Sequence, residues 1–188
     1  MGLRDVLFGR KQLKDASPDR LFALSTARVT LEVELGLRSA GAAAVCFKPL
    51  SAGDFVRAEN ELNELLDVAA RDSASKVSRT HDDFGFEWLT IRDPELEDLV
   101  TTVHLVSSEL IARGFGPQLL ASIFRFEGGE HPVYWIYSYK RGSFYPFVPT
   151  GPDERDNARE LELQAKLAKE LPIDEDMTRW FGLYGAPV

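Results

Sequence analysis

Residues 132–149 read PVYWIYSYKRGSFYPFVP, and no other stretch limits the fold so tightly. Seven of the twenty aromatic residues fall within it: Tyr134, Trp135, Tyr137, Tyr139, Phe144, Tyr145 and Phe147. The rings recur on alternate positions either side of Lys140-Arg141-Gly142, and alternation about a glycine-bearing turn is the pattern of a β-hairpin. With rings on both faces, the ribbon is either the centre of a sheet or a surface for a partner. Trp135, Tyr137 and Phe144 read as core, while Tyr139, Lys140, Arg141, Tyr145 and Phe147 are the candidate partner-binding residues. Rings beside basic residues also suit base stacking. A net charge of −8 and a single Lys-Arg pair argue against nucleic acid.

A chain of 188 residues with 44% apolar content is expected to form a single domain, 1–188, around a sizeable core. No apolar run approaches the roughly 20 residues that cross a bilayer. The N-terminus lacks the apolar segment and small-residue cleavage site of a secretory signal. A lone cysteine, Cys46, excludes an intramolecular disulfide, and together these features fit the cytoplasm. The charge is uneven. Residues 1–14 carry Arg4, Arg10, Lys11 and Lys14 against Asp5 alone, whereas residues 50–113 carry 14 acids and 6 bases. Leu3, Val6 and Leu7 share a helical face ahead of the bases, so Leu3, Arg4, Leu7, Arg10, Lys11 and Lys14 form a candidate arm for an anionic membrane surface. The plainer reading is a short helix docking its leucines on the domain.

Elsewhere, hydrophobic spacing separates helices from strands. Residues 19–37 carry two overlapping patterns. Ser25 or Thr26 can cap a helix running through Leu31 and Leu35 to a Gly36 stop, yet Val29, Leu31, Val33 and Leu35 also alternate as in a strand. We take the helix and leave the strand open. Residues 42–47 form a short buried strand ended by Pro49. Residues 54–70 set Phe55, Ala58, Leu62, Leu65, Leu66 and Ala69 at helical spacing. The polar residues 71–83 read as a mobile loop, and 84–91 as a strand with Phe84, Phe86 and Trp88 on one face. Asp93 is expected to cap the next helix, with Pro94 in its first position and Leu96, Leu99, Val100, Val103, Val106 and Leu110 as its buried stripe. Arg113-Gly114 ends it. Residues 119–126 are a strand, 127–130 a turn, and the aromatic hairpin follows. In the last helix, 153–171, Leu161, Leu163, Ala165, Leu167, Ala168 and Leu171 make a broad apolar side. Trp180, Phe181 and Tyr184 imply a tail that packs. The fold class is α+β: an antiparallel sheet with a C-terminal-half meander at about 119–148, covered on one face by three to four helices.

The reactive residue types form no constellation that names a reaction. None of His81, His104 and His131 pairs at a metal-ligand spacing, and His81 with Asp82 and Asp83 reads as solvated loop charge. Cys46, between Val45 and Phe47, reads as a buried thiol. Gly114-Phe115-Gly116-Pro117 and Gly128-Gly129 fit neither phosphate-loop nor dinucleotide spacing. Ser107 and Ser108 follow His104 without a nucleophile elbow. No metal, cofactor or catalytic residue is assigned. The remaining enzyme alternative is a small site near His104 with Glu87 as its acid, set against a histidine that merely packs at the core boundary.

Several segments carry a resemblance: MGLRDVLFGRK, LFALSTARVTLEVELGLRSAGAAAVCFKP, DLVTTVHLVSSELIARGFGPQLLASIFRF, YSYKRGSFYPFVP and RWFGLYGAP. Over nearly the full length the chain resembles the PspA-associated protein B family, prokaryotic proteins encoded near homologues of phage shock protein A (PspA). PspA forms coiled-coil assemblies that support damaged membranes. The resemblance implies a non-enzymatic accessory or adaptor role in a PspA-type envelope stress response. It implies binding to PspA or another component of that system, in the cytoplasm or peripheral to the inner face of the membrane. It brings no catalytic residues. A weak peripheral membrane contact and a homodimer stay open. A chaperone-like domain is the other alternative, and it requires an apolar sheet face left free for a client segment.

Overall fold

The computed structural model describes residues 17–48 and 75–188. The arm 1–14, the helix expected over 54–70 and the start of the polar stretch, 71–74, lie outside the described residues. The chain enters through a helical strap: a 3-10 turn Pro18–Leu21, α1 Phe22–Thr26 and a π-helical turn Thr30–Glu34. There follow β1 Arg38–Phe47, β2 Lys76–His81, β3 Glu87–Arg92 and α2 Leu96–Ala112. The remaining elements are β4 Leu119–Glu127, β5 Val133–Ser138, β6 Ser143–Phe147 and α3 Asn157–Leu167. All strand pairs are antiparallel in one six-stranded sheet ordered β2-β3-β1-β4-β5-β6, so the fold is α+β and 119–147 is the expected meander.

Side-chain alternation divides the sheet between two cores. Ala43, Val45, Leu89, Ile91, Phe124, Phe126, Trp135, Tyr137 and Phe144 face the strap, α2 and α3, meeting Leu24, Leu31, Val103, Val106, Leu163 and Leu167. Ala44, Cys46, Trp88, Ile123, Ile136, Tyr145 and Phe147 form the opposite core with Trp180 and Val188 of the C-terminal segment. The second sheet face is therefore not an open apolar surface, as the chaperone-like alternative required. Each fully buried large apolar side chain is worth about 1.5–3 kcal/mol, so burying the hairpin on both sides outweighs any single polar contact in it.

The hairpin belongs to the scaffold. Ile136 pairs with Tyr145 and Tyr137 with Phe144 across β5 and β6. Gly142 closes the turn at φ +64, a conformation that costs glycine nothing, while Gly142 N–H donates to Ser138 O at 2.8 Å. β6 is an edge strand and carries Pro146, where a missing N–H is tolerated. Its outer side is still covered: Phe144 N–H donates to Pro172 O at 2.8 Å and Asp174 N–H to Phe144 O at 2.9 Å. The fully buried Glu160 anchors the next turn, accepting from Val148 N–H at 2.8 Å and Arg155 Nε at 2.9 Å. Arg155 in turn donates to Trp180 O at 2.8 Å, which ties the tail to the sheet.

Four sequence expectations need correction. The polar stretch 71–83 contains a strand, Lys76–His81, because an edge strand must bury only one side, and only Val77 packs against the core. The strand expected from Phe84 begins at Glu87, since Asp82 turns the chain with Gly85 at φ +81 and leaves Phe84 84% exposed. Asp93 does not cap α2. It accepts from Glu95 N–H at 2.9 Å and from Ser75 Oγ at 2.8 Å, which completes a turn ahead of the helix. α3 is shorter and narrower than expected: Leu163 and Leu167 are buried with Glu160, whereas Leu161, Ala165 and Ala168 are exposed. The strap is helical, as we took it to be, but starts at Pro18, with Ser25 and Thr26 inside α1.

Candidate interaction surface

The five hairpin candidates divide by burial. Tyr139, Tyr145 and Phe147 are 1%, 4% and 0% exposed, leaving only Lys140 and Arg141 at the surface. Each ring has a partner. Tyr139 lies edge-on to Tyr137 at 5.3 Å, and its hydroxyl is bonded to Ser122 Oγ at 2.6 Å and to Ser107 Oγ of α2. Tyr145 stacks on Trp180 and donates to Phe181 O at 3.1 Å. Phe147 sits between the Tyr184 ring and the Arg155 guanidinium, each 5.0 Å away. Burial pushes the Tyr145 phenol up despite the nearby Arg155 charge, so it stays a donor at neutral pH.

The exposed turn meets the strap. Tyr137 Oη donates to Ser17 O at 2.5 Å, and Arg20 donates to Gly142 O at 2.9 Å. From that junction the strap runs along α2 with Leu21, Leu24, Ala27 and Leu31 buried. Arg28 forks to both Glu97 oxygens at 2.9 Å and to Glu32 at 2.9 Å, fastening the strap to the first turn of α2. The Arg28 guanidinium holds the Glu97 carboxyl below its usual range.

The outer side of the strap is apolar. Phe22 is 40% exposed, Val29 69% and Val33 78%. Phe22 lies in α1, Val29 directly before the π-helical turn and Val33 within it, and all three face solvent while Leu24, Ala27 and Leu31 between them are buried. This stripe is absent from the sequence reading. Its signal was the strand-like run Val29, Leu31, Val33, Leu35, in which a helix turns Leu31 and Leu35 inward and Val29 and Val33 outward.

The enzyme alternative is not assembled. His104 Nε2 lies 3.0 Å from Asp19 Oδ1 at the surface, with the Phe22 ring 4.7 Å away. Glu87 is engaged elsewhere, by Arg79 Nε at 2.9 Å. The Cys46 thiol is pushed up to about 12, first by burial and then by the Asp82 charge, so it stays protonated at neutral pH. Among the described residues no three His, Cys, Asp or Glu side chains converge to hold a metal ion, and no helix is long and apolar enough to cross a membrane. The membrane-arm candidates Leu3, Arg4, Leu7, Arg10, Lys11 and Lys14 lie outside the described residues.

A family model described as PspA associated protein B matches residues 1–188. No curated protein and no solved structure matches the chain.

Proposed function

Because the chain belongs to the PspA associated protein B family over its whole length, we propose that it is a non-enzymatic accessory protein of a PspA-type envelope stress response. It acts by binding another protein of that system, PspA first, in the cytoplasm close to the inner face of the membrane. The family's name points to association with PspA. The observation that carries a binding role is the outward stripe Phe22, Val29 and Val33, apolar on a strap whose inner side is already fully packed. Apolar positions at seven- and four-residue spacing are what a helical surface offers a partner helix. For the alternative of catalysis at His104, the expected acid Glu87 pairs instead with Arg79, and the carboxylate beside His104 is that of the exposed Asp19.

The test is capture of the protein at native expression from stressed cells, with PspA assayed in the recovered material. PspA should co-purify with the wild-type chain. A Val29→Glu, Val33→Glu variant should lose at least about tenfold of that recovery, as truncating central apolar contacts does. Its thermal unfolding should match wild type, because both positions face solvent. Recovery of no PspA-system protein by the wild-type chain would overturn the reading. A dimer dissolved by the same variant would instead assign the stripe to a second copy.

A further inference from the structure

We infer that the partner segment seated on the strap is an amphipathic helix whose apolar side is edged by lysine or arginine. Glu34 and Glu95 are the acids that receive those bases. The inference rests on the binding role proposed for the strap and names the chemistry of what binds there. Val29 and Val33, four positions apart, both face solvent, at 69% and 78% exposure. Each residue beside them in the chain carries a carboxylate or holds one. Arg28, before Val29, binds Glu32 and Glu97 at 2.9 Å and lies 4.0 Å from Glu95. Thr30, after it, donates to Glu170 Oε1 at 2.8 Å. Val33 stands between Glu32 and the exposed Glu34.

The valines are therefore edged by Glu32, Glu34, Glu95, Glu97 and Glu170, and Arg28, the cation bonded into this set, is shared among three of them. Arg38 and Lys169, the next bases along the chain, are exposed and make no salt bridge to these acids among the described residues. Glu34 has no salt bridge there either, and Glu95, 60% exposed, has only its 4.0 Å contact with Arg28. Both keep acceptor oxygens open to an incoming cation. An apolar pair at helical spacing with acids along its edge is complementary to a helix that carries bases beside its own apolar side. A second copy of the chain fits poorly, because the same strap would set these acids against their own counterparts. The net charge of −8 steers a basic segment toward the molecule, and the exposed valines give it a place to settle.

Three synthetic peptides test this against the full-length protein by fluorescence anisotropy, at low and physiological salt. Two are helices with the same leucine stripe, edged by lysine in one and by glutamate in the other; the third is a shuffled form of the lysine peptide with no apolar side. The lysine-edged helix should bind at least about tenfold more tightly than the other two and weaken as salt rises. Val29→Ser with Val33→Ser should cost at least about tenfold. Glu34→Gln with Glu95→Gln should cost about fivefold and remove most of the salt dependence. Asp83 lies in the turn at the end of β3 away from α2, and Asp153 precedes α3 whereas Glu170 follows it, so Asp83→Asn with Asp153→Asn should bind as wild type does. All six positions are exposed, and thermal unfolding of each variant should match wild type. Equal binding of the lysine- and glutamate-edged helices, no binding of the former, or wild-type affinity in the Glu34 and Glu95 variant would overturn the inference. So would an equal loss in the Asp83 and Asp153 variant, or a protein dimer that the valine variant dissolves. The probes contain no PspA: capture of PspA by a protein that ignores the lysine-edged helix would sink this inference alone, and selective binding of that helix without capture of PspA would sink only the identity of the partner.

Discussion

The Tyr139 hydroxyl lies at the meeting point of β4, the end of β5 and α2, with Ser122 Oγ at 2.6 Å and Ser107 Oγ also bonded to it. Ser107 has a second partner in Val103 O at 2.6 Å. Removing the phenol oxygen should therefore strand Ser122 while leaving Ser107 satisfied. Tyr139→Phe is expected to cost about 1–2 kcal/mol, the penalty for one buried hydroxyl without a partner. Urea denaturation with an unchanged slope would measure it. A loss near zero would mean that Ser122 finds another acceptor and that the trio does not tie sheet to helix. The same substitution should leave partner capture intact, because the ring is inside. Tyr137 behaves alike at its polar end: burial is the main cause that pushes its phenol up to about 12, so it keeps donating to Ser17 across the physiological range.

At the scale of elements, the turn between β2 and β3 hangs on one carboxylate. Asp82 accepts from Phe84 N–H at 3.0 Å and Phe86 N–H at 2.9 Å through one oxygen, and from Trp88 Nε1 at 2.9 Å through the other. Burial is the largest single influence and pushes this carboxyl up, but the bonds from Trp88, Phe86, Phe84 and Gly85 together hold it below its ordinary 3.8. A depressed folded-state value stabilises the fold above the unfolded value, and that stability is lost as pH falls through the folded one. The stability gap between wild type and Asp82→Asn should then be full near neutral pH and narrow below about pH 4. A gap that stays constant down the titration would contradict the role given to this side chain. The same turn shows what sequence could convey. α2 and the meander were legible because their apolar periods are uninterrupted, and all six expected stripe residues of α2 are buried. β2 was not, since an edge strand with one apolar contact looks like a loop. α3 was read too broadly because its third buried position is a glutamate, Glu160, whose partner Arg155 lies outside the helix.

The whole molecule is a twice-covered sheet with a strap across one corner, and that arrangement moves the candidate surface away from the rings that first suggest it. Alternating rings announce a ribbon but not which of its faces meets water. Here both faces are filled, by α2 and the strap on one side and by the C-terminal segment on the other. The junction of strap and turn was illegible for a different reason: its hydrogen bonds join residues 120 and 122 positions apart. The apolar line on the strap stays exposed, as do the separate rings of Phe84 and Phe181, on a chain of net charge −8. The most direct test of a PspA-binding strap is amide hydrogen exchange of the full-length protein with and without purified PspA. The account predicts slowed exchange confined to the strap and its neighbours, strongest around Val29 and Val33, with the amides of β4 and β5 unchanged. Binding that leaves the strap as open as before, with protection appearing along β2 or the C-terminal segment instead, would contradict it.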